Sequence, residues 1–162
     1  MEVLDRKLKL EKLKTSLLEN VPECWTDFDY LRWLQGFDFD VDLVKQKLTK
    51  HFELRKLWNV DEWLKRDIDI RHPVVKKFYP WGVVGPTKKS DNNSLIFIET
   101  LGRMDGWGLL KSASLLDIIR TRVYENERTM RRIREREKQT GRQSSILYIM
   151  DLEGFTAFYF IF

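Results

Sequence analysis

Leucines at three- and four-residue spacings open the chain: Leu4, Leu8, Leu10, Leu13, Leu17 and Leu18 stand among lysines and glutamates. That period predicts an amphipathic helix, closed by Asn20 and Pro22. Thr26 and Asp27 are good capping residues, and Tyr30, Leu31, Trp33 and Leu34 follow at helical spacing up to Gly36, which suits a C-terminal stop. Asp40 or Asp42 can cap a third helix, in which Val44, Leu48 and Phe52 form an i, i+4 row joined by Leu57. Val60 to Leu64 reads as a short helical piece with Trp58 and Trp63 beside it. Residues 1–65 thus form a compact all-helical unit, and the change of pattern at His72-Pro73 sets two domains, 1–72 and 73–162.

Beyond Pro73 the period shortens. Val74 to Phe78 is one more helical turn, broken by Pro80, and Trp81 to Thr87 is a short strand that Pro86 places at an edge or a strand end. Lys88 to Ser94 is a polar turn. Leu95 to Leu101 is a near-continuous apolar run and predicts a buried strand. A glycine-rich loop, Gly102 to Gly108, leads to a long helix over about Ser112 to Gln139, with Leu116, Ile119, Val123, Met130 and Ile133 along one side and Gly141 at its end. Ile146 to Asp151 is a third strand, apolar enough to be covered on both faces. Strand, long helix, strand is a βαβ crossover, so the fold class is α/β: an all-helical N-terminal unit followed by an α/β domain with parallel pairing. Two or three strands and one helix leave such a sheet uncovered. Phe155 to Phe162 adds an aromatic run where further helices are needed. The α/β domain is therefore expected to be incomplete and the chain truncated.

Composition narrows the class. With 162 residues, 43% hydrophobic and 33% charged, the chain is neither disordered nor large. Its single cysteine, Cys24, excludes an internal disulfide and a cysteine-based zinc site and fits a reducing, cytoplasmic setting. No stretch reaches the roughly 20 apolar residues of a transmembrane helix. Between Lys111 and Thr140 nine basic residues meet five acidic ones, a surplus equal to the +4 of the whole chain. One segment carries the positive field. Glu127, Glu135 and Glu137 interleave it, so much of it is an ordinary solvated helix face. The sharper reading is peripheral contact with anionic lipid headgroups through Arg131, Arg132 and Arg134, each basic residue near such a surface contributing on the order of 1 kcal/mol. No aromatic platform accompanies the arginines, which argues against nucleic acid.

Chemistry is sparse. Gly106-Trp-Gly108 precedes a helix, but Lys111 stands where a dinucleotide fingerprint needs its third glycine. His51 and His72 are the only histidines, and nothing marks partners for a zinc or catalytic set. Asp151 and Glu153 end a strand, where a cap or loop anchor is the plain role for Asp151. No catalytic residue, metal site or cofactor is assigned, and the chain is read as non-enzymatic.

Three stretches carry a resemblance. Asp29-Tyr-Leu-Arg-Trp-Leu-Gln-Gly-Phe-Asp-Phe-Asp40 with Lys50-His-Phe-Glu-Leu-Arg-Lys56, then Ser94-Leu-Ile-Phe-Ile-Glu-Thr-Leu-Gly102, then Tyr148-Ile-Met-Asp-Leu-Glu-Gly154, resemble in order and spacing the CRAL-TRIO lipid-binding family, which includes phosphatidylinositol transfer proteins. Gly108-Leu-Leu-Lys-Ser-Ala-Ser114 is most similar to members that carry a GOLD domain. The resemblance implies a helical unit beside a sheet that floors an apolar cavity, with gate, further strands and most walls supplied after Asp-x-x-Gly. It also implies that Phe97 faces the ligand. Where phosphoinositide-handling members have two basic residues, this chain has Phe37 and Asp38, which leaves a neutral hydrophobic ligand or a different lipid open. The function implied is lipid or small hydrophobic-ligand binding and transfer, by a form unable to enclose ligand alone. The alternative is a ligand-independent protein-interaction module that uses the helical unit and the Arg-rich helix.

Overall fold

In the computed structural model, which describes residues 2–17, 21–65, 69–88 and 92–155, the leucine period becomes helix α1 (Glu2–Ser16). Only its second half faces a core: Leu13 and Leu17 are buried, whereas Leu4 and Leu8 are exposed. Leu18 and Asn20 lie outside the described residues. Helix α2 (Asp27–Gly36) starts as its sequence predicts, because Asp29 reaches back to accept the Thr26 backbone N–H at 2.9 Å. Its end is different. Gly36 stays helical, and the left-handed conformations fall on Asp38 and Phe39, with the Phe39 N–H returning to the Leu34 carbonyl at 2.7 Å. Asp40 then caps helix α3 (Val41–Trp58) by accepting the Leu43 N–H at 3.0 Å.

Val44, Leu48 and Phe52 form the expected buried row on α3 and close a core with Leu13, Leu17, Tyr30 and Leu34. Leu57 does not join it; it is 77% exposed, and Arg55 is the buried residue of that turn, paired with Asp61 of helix α4 (Val60–Lys65) at 2.5 Å. These helices belong to one compact unit, Met1–Arg66, and the rest to a second, Asp67–Phe162. The division falls before His72-Pro73 because Arg71 is tied to Glu125 at 2.5 Å and the His72 N–H to the Thr121 hydroxyl at 3.0 Å, both within the second unit.

The second unit runs through helix α5 (Pro73–Phe78), strands β1 (Trp81–Pro86) and β2 (Ser94–Thr100), a 3-10 turn (Leu101–Arg103), helices α6 (Gly106–Ser112) and α7 (Leu115–Thr140), and strand β3 (Ser145–Asp151). The sheet order is β1-β2-β3. β1 pairs antiparallel with β2, with a bulge between Val83 and Gly85, and β2 pairs parallel with β3, Phe97 opposite Tyr148. The mixed α/β architecture follows, with α6 and α7 crossing between the parallel strands.

Four expectations change here. The glycine-rich stretch is not a loop: Asp105 caps α6 by accepting the Gly108 N–H at 2.8 Å. A Cβ on Gly108 would come within 2.4 Å of that carboxylate, so the glycine makes room for the cap. The long helix begins only at Leu115, behind a Ser114–Asp117 capping box. Its buried residues are Thr121, Tyr124, Glu125, Ile133 and Glu137, while Leu116 and Ile119 are exposed. The stripe read from apolar spacing is thus rotated, because α7 is anchored by polar contacts. Asn93 ahead of β2 donates to Thr140 Oγ1 and to the Arg142 carbonyl, both at 2.9 Å, and accepts from Arg136 Nε at 3.0 Å. Ser144 before β3 donates its N–H to Glu137 at 2.7 Å. Strand β3 also departs from expectation, with Leu147, Tyr148, Ile149 and Met150 all exposed rather than covered on both faces. The aromatic run beyond Phe155 lies outside the described residues.

Candidate functional site

Side chains alternate across a sheet, so register divides the residues of β1–β3 between two faces. Leu95, Phe97 and Glu99 share one face with their partners Ile146, Tyr148 and Met150 on β3 and Val83 and Trp81 on β1. This is the face of α7, because Arg122 on that helix pairs with Glu99 at 3.2 Å and lies over the Trp81 ring at 4.8 Å. Leu95, Phe97 and Glu99 are correspondingly buried.

The opposite face carries Ile96 and Ile98, half-buried, beside Leu147 and Ile149, which are 45% and 44% exposed. Across β2 from these, β1 presents Gly82 opposite Ile98 and Gly85 opposite Ile96. A Cβ added at either glycine would meet nothing within 4 Å. The result is an apolar trough, two isoleucines wide on β2, walled by β3 side chains and left open over β1. Such a surface accepts an apolar ligand face and offers it no charge.

Beneath the trough the α7 face holds a compact polar cluster. Glu99, 2% exposed, accepts a short hydrogen bond from the Tyr79 hydroxyl and the ion pair from Arg122. Burial, and then the hydrogen bond to the Glu99 carboxylate, pushes the Tyr79 phenol up to about 12. An unfolded phenol releases its proton near 10. Between those values the unfolded chain binds fewer protons than the folded one, so stability falls as pH rises from 10 to 12. Urea unfolding across that window is expected to show this decline in the native chain and a flatter profile in Tyr79→Phe. An equally steep decline in the variant would disprove the assignment.

The sequence-derived residues are placed as follows. Phe97 is buried on the α7 face and stacks on Tyr148 with ring centroids 5.1 Å apart. Arg131, Arg132 and Arg134 do not form one patch. Arg131 is exposed and pairs with Glu135 at 3.5 Å, Arg134 is half-buried, and Arg132 donates to the Val83 carbonyl at 3.3 Å. Arg131 and Arg134 are i, i+3 neighbours, and Arg132 lies about 100° around the helix from Arg131. Asp151 accepts the Glu153 N–H at 3.0 Å and holds the turn after β3. His51 lies among Trp25, Trp33 and Phe52. Phe37 stacks on Trp33 at 6.0 Å, and Asp38 forms the left-handed turn before α3. Sequence reasoning missed Ile96, Ile98, Leu147 and Ile149 as one surface. The signal was present in strict alternation within two apolar runs, but it needs the parallel register to bring the four together.

Among the described residues no group of three metal-ligating side chains forms, and no helix is long and apolar enough to cross a membrane. No family model matches the chain. It is similar to a CRAL-TRIO domain-containing protein of Caenorhabditis elegans, 32% identical over 133 residues, which is 82% of this chain and 32% of that protein. It is also similar to the same organism's protein ctg-1, 28% identical over 134 residues, 80% of this chain and 32% of the relative. A further CRAL-TRIO domain-containing protein of that organism is 28% identical over 130 residues, 79% of this chain and 17% of its own length. The chain therefore spans about a third, or less, of the curated relatives it matches.

Proposed function

We propose that this chain is a CRAL-TRIO lipid-binding chain whose β1–β3 sheet supplies the floor for a lipid-like or other small hydrophobic ligand. The observation that carries this reading is the trough of Ile96, Ile98, Leu147 and Ile149 beside two glycines with open space above them. The likeness to the nematode CRAL-TRIO proteins supports it. Apolar ligand surface removed from water there gains about 25 cal/mol per Å². The four trough residues touch ligand, and Phe97 supports the floor from the buried side. The role is binding and transfer in the cytoplasm, of the phosphatidylinositol-transfer type in its general plan, without catalysis. Three strands open on one side hold a single face of a ligand, so this chain does not enclose one by itself. Likeness around Gly108–Ser114 extends the reading to relatives with a GOLD domain.

A fluorescent fatty-acid analogue titrated into the chain tests this. A saturable rise in emission is expected, about tenfold weaker in affinity for Ile149→Asp, a loss near 1.4 kcal/mol. Ile149 is already exposed, so the variant folds, as circular dichroism would verify. Absence of saturable binding, or equal binding by the variant, would sink the proposal.

A further inference from the structure

On the other side of the sheet from the trough, helix α7 and strand β1 enclose an open cleft of about 170 Å³. Three arginines line it, Arg71, Arg128 and Arg132, against one carboxylate, Glu125, with Thr129 and Trp81 completing the walls. The charge is therefore positive in a space the size of a small polyatomic ion with a few waters.

The arginines differ in how they are engaged. Arg71 is consumed by structure: its Nε and Nη2 bond Asp69 at 2.7 and 2.5 Å and its Nη1 bonds Glu125 at 2.5 Å. It shares its charge between Asp69 and Glu125. Arg128 reaches Glu125 only at 3.4 Å, and Arg132 makes one hydrogen bond among the described residues, from Nη1 to the Val83 carbonyl. The Thr129 hydroxyl makes none among the described residues, and Thr129 lines the same space. Arg128 and Arg132 stand one helical turn apart, about 6 Å between their Cβ atoms, on the stripe of α7 that faces β1. Two guanidinium groups lining one cleft, with Thr129 beside them, supply planar forks of donors suited to the oxygens of a tetrahedral anion. A carboxylate would use only one fork.

We propose that this cleft is a phosphate-binding site, in which Arg128, Arg132 and Thr129 hold a phosphate group and Arg71 screens Glu125 from it. The group is carried either by free phosphate or by a lipid headgroup. The site is independent of the apolar trough, which lies on the opposite face of the sheet.

Arginine Nε–H resonances of the chain, titrated with inorganic phosphate, read the site directly. Saturable shifts are expected at Arg128 and Arg132, with affinity lowered about tenfold or more in Arg132→Gln and Arg128→Gln. Arg131→Gln, which removes the same charge from an exposed position paired with Glu135, should leave the affinity unchanged. Co-sedimentation with phosphatidylcholine vesicles, with and without phosphatidic acid, separates the sources. Phosphatidic-acid-dependent binding that inorganic phosphate displaces assigns a headgroup, and saturation by phosphate without vesicle binding assigns the free ion. Absence of a saturable phosphate shift, or one that survives in Arg128→Gln/Arg132→Gln, would overturn the proposal.

Discussion

Replacing Arg122 with methionine is expected to cost the second unit about 3 kcal/mol or more in unfolding free energy. The reason lies with its partner. Glu99 is almost completely buried, and Arg122 is the cation that pairs with it, at 3.2 Å, while Tyr79 donates the remaining hydrogen bond. Methionine keeps an unbranched apolar side chain and removes the guanidinium, which also lies over the Trp81 and Tyr79 rings, so most of the loss reports a carboxylate left in the interior without its counter-ion. Exchanging both residues, Arg122→Met with Glu99→Leu, should recover most of the loss, because an apolar pair of similar volume carries no desolvation penalty. Urea unfolding of the two single variants and the double variant closes the cycle. A cost below about 1 kcal/mol for Arg122→Met would mean that solvent already screens Glu99.

Gly102→Ala is expected to be comparably severe, about 3 kcal/mol, although it adds a single methyl group. A Cβ on Gly102 would lie 1.8 Å from the Glu153 carbonyl oxygen, which is backbone and cannot rotate away. Insertion must separate the 3-10 turn after β2 from the turn after β3, and the C-terminal end of the parallel pair loses its fastening. Gly154→Ala is the informative comparison. Its Cβ would meet only the Gly102 carbonyl oxygen, at 3.3 Å, and the main cost is the left-handed φ of +82°, about 1–2 kcal/mol. Denaturation midpoints that rank Gly102→Ala below Gly154→Ala are expected. The reverse order would show that the two turns separate easily. The contact also gives a physical reason for the glycine in Asp-x-x-Gly after β3: Asp151 tightens the turn, Gly154 adopts its left-handed corner, and Gly102 accepts the close approach.

Local signals were legible where a few neighbouring residues decide the outcome. Thr26 and Asp40 cap helices that begin where their side chains place them, and Pro86 does lie on an edge strand. The signals misled where a distant partner decides. Leu57 has the spacing of a core residue, yet Arg55 is buried in its turn because Asp61 offers a carboxylate. Leu116 and Ile119 read as the inner side of α7, yet Asn93 and Ser144 hold that helix by Arg136 and Glu137 and turn other residues inward. Gly106 and Gly108 read as a loop, yet Asp105 converts them into the first turn of a helix.

The candidate site divides the same way. Its ingredients, two apolar strand runs and an arginine-rich helix, are visible in the chain because hydrophobic period and charge are properties of neighbours in sequence. Which isoleucines share an open face, and which arginines share a cleft, depends on residues about fifty positions apart: Phe97 opposite Tyr148, and Arg132 against Val83. Amino-acid order alone therefore located most of the helices, the strands and the segment that carries the charge. Only the tertiary structure decided that the apolar trough and the cationic cleft lie on opposite faces of one sheet, because a strand's alternation has no sides until register and a covering helix assign them.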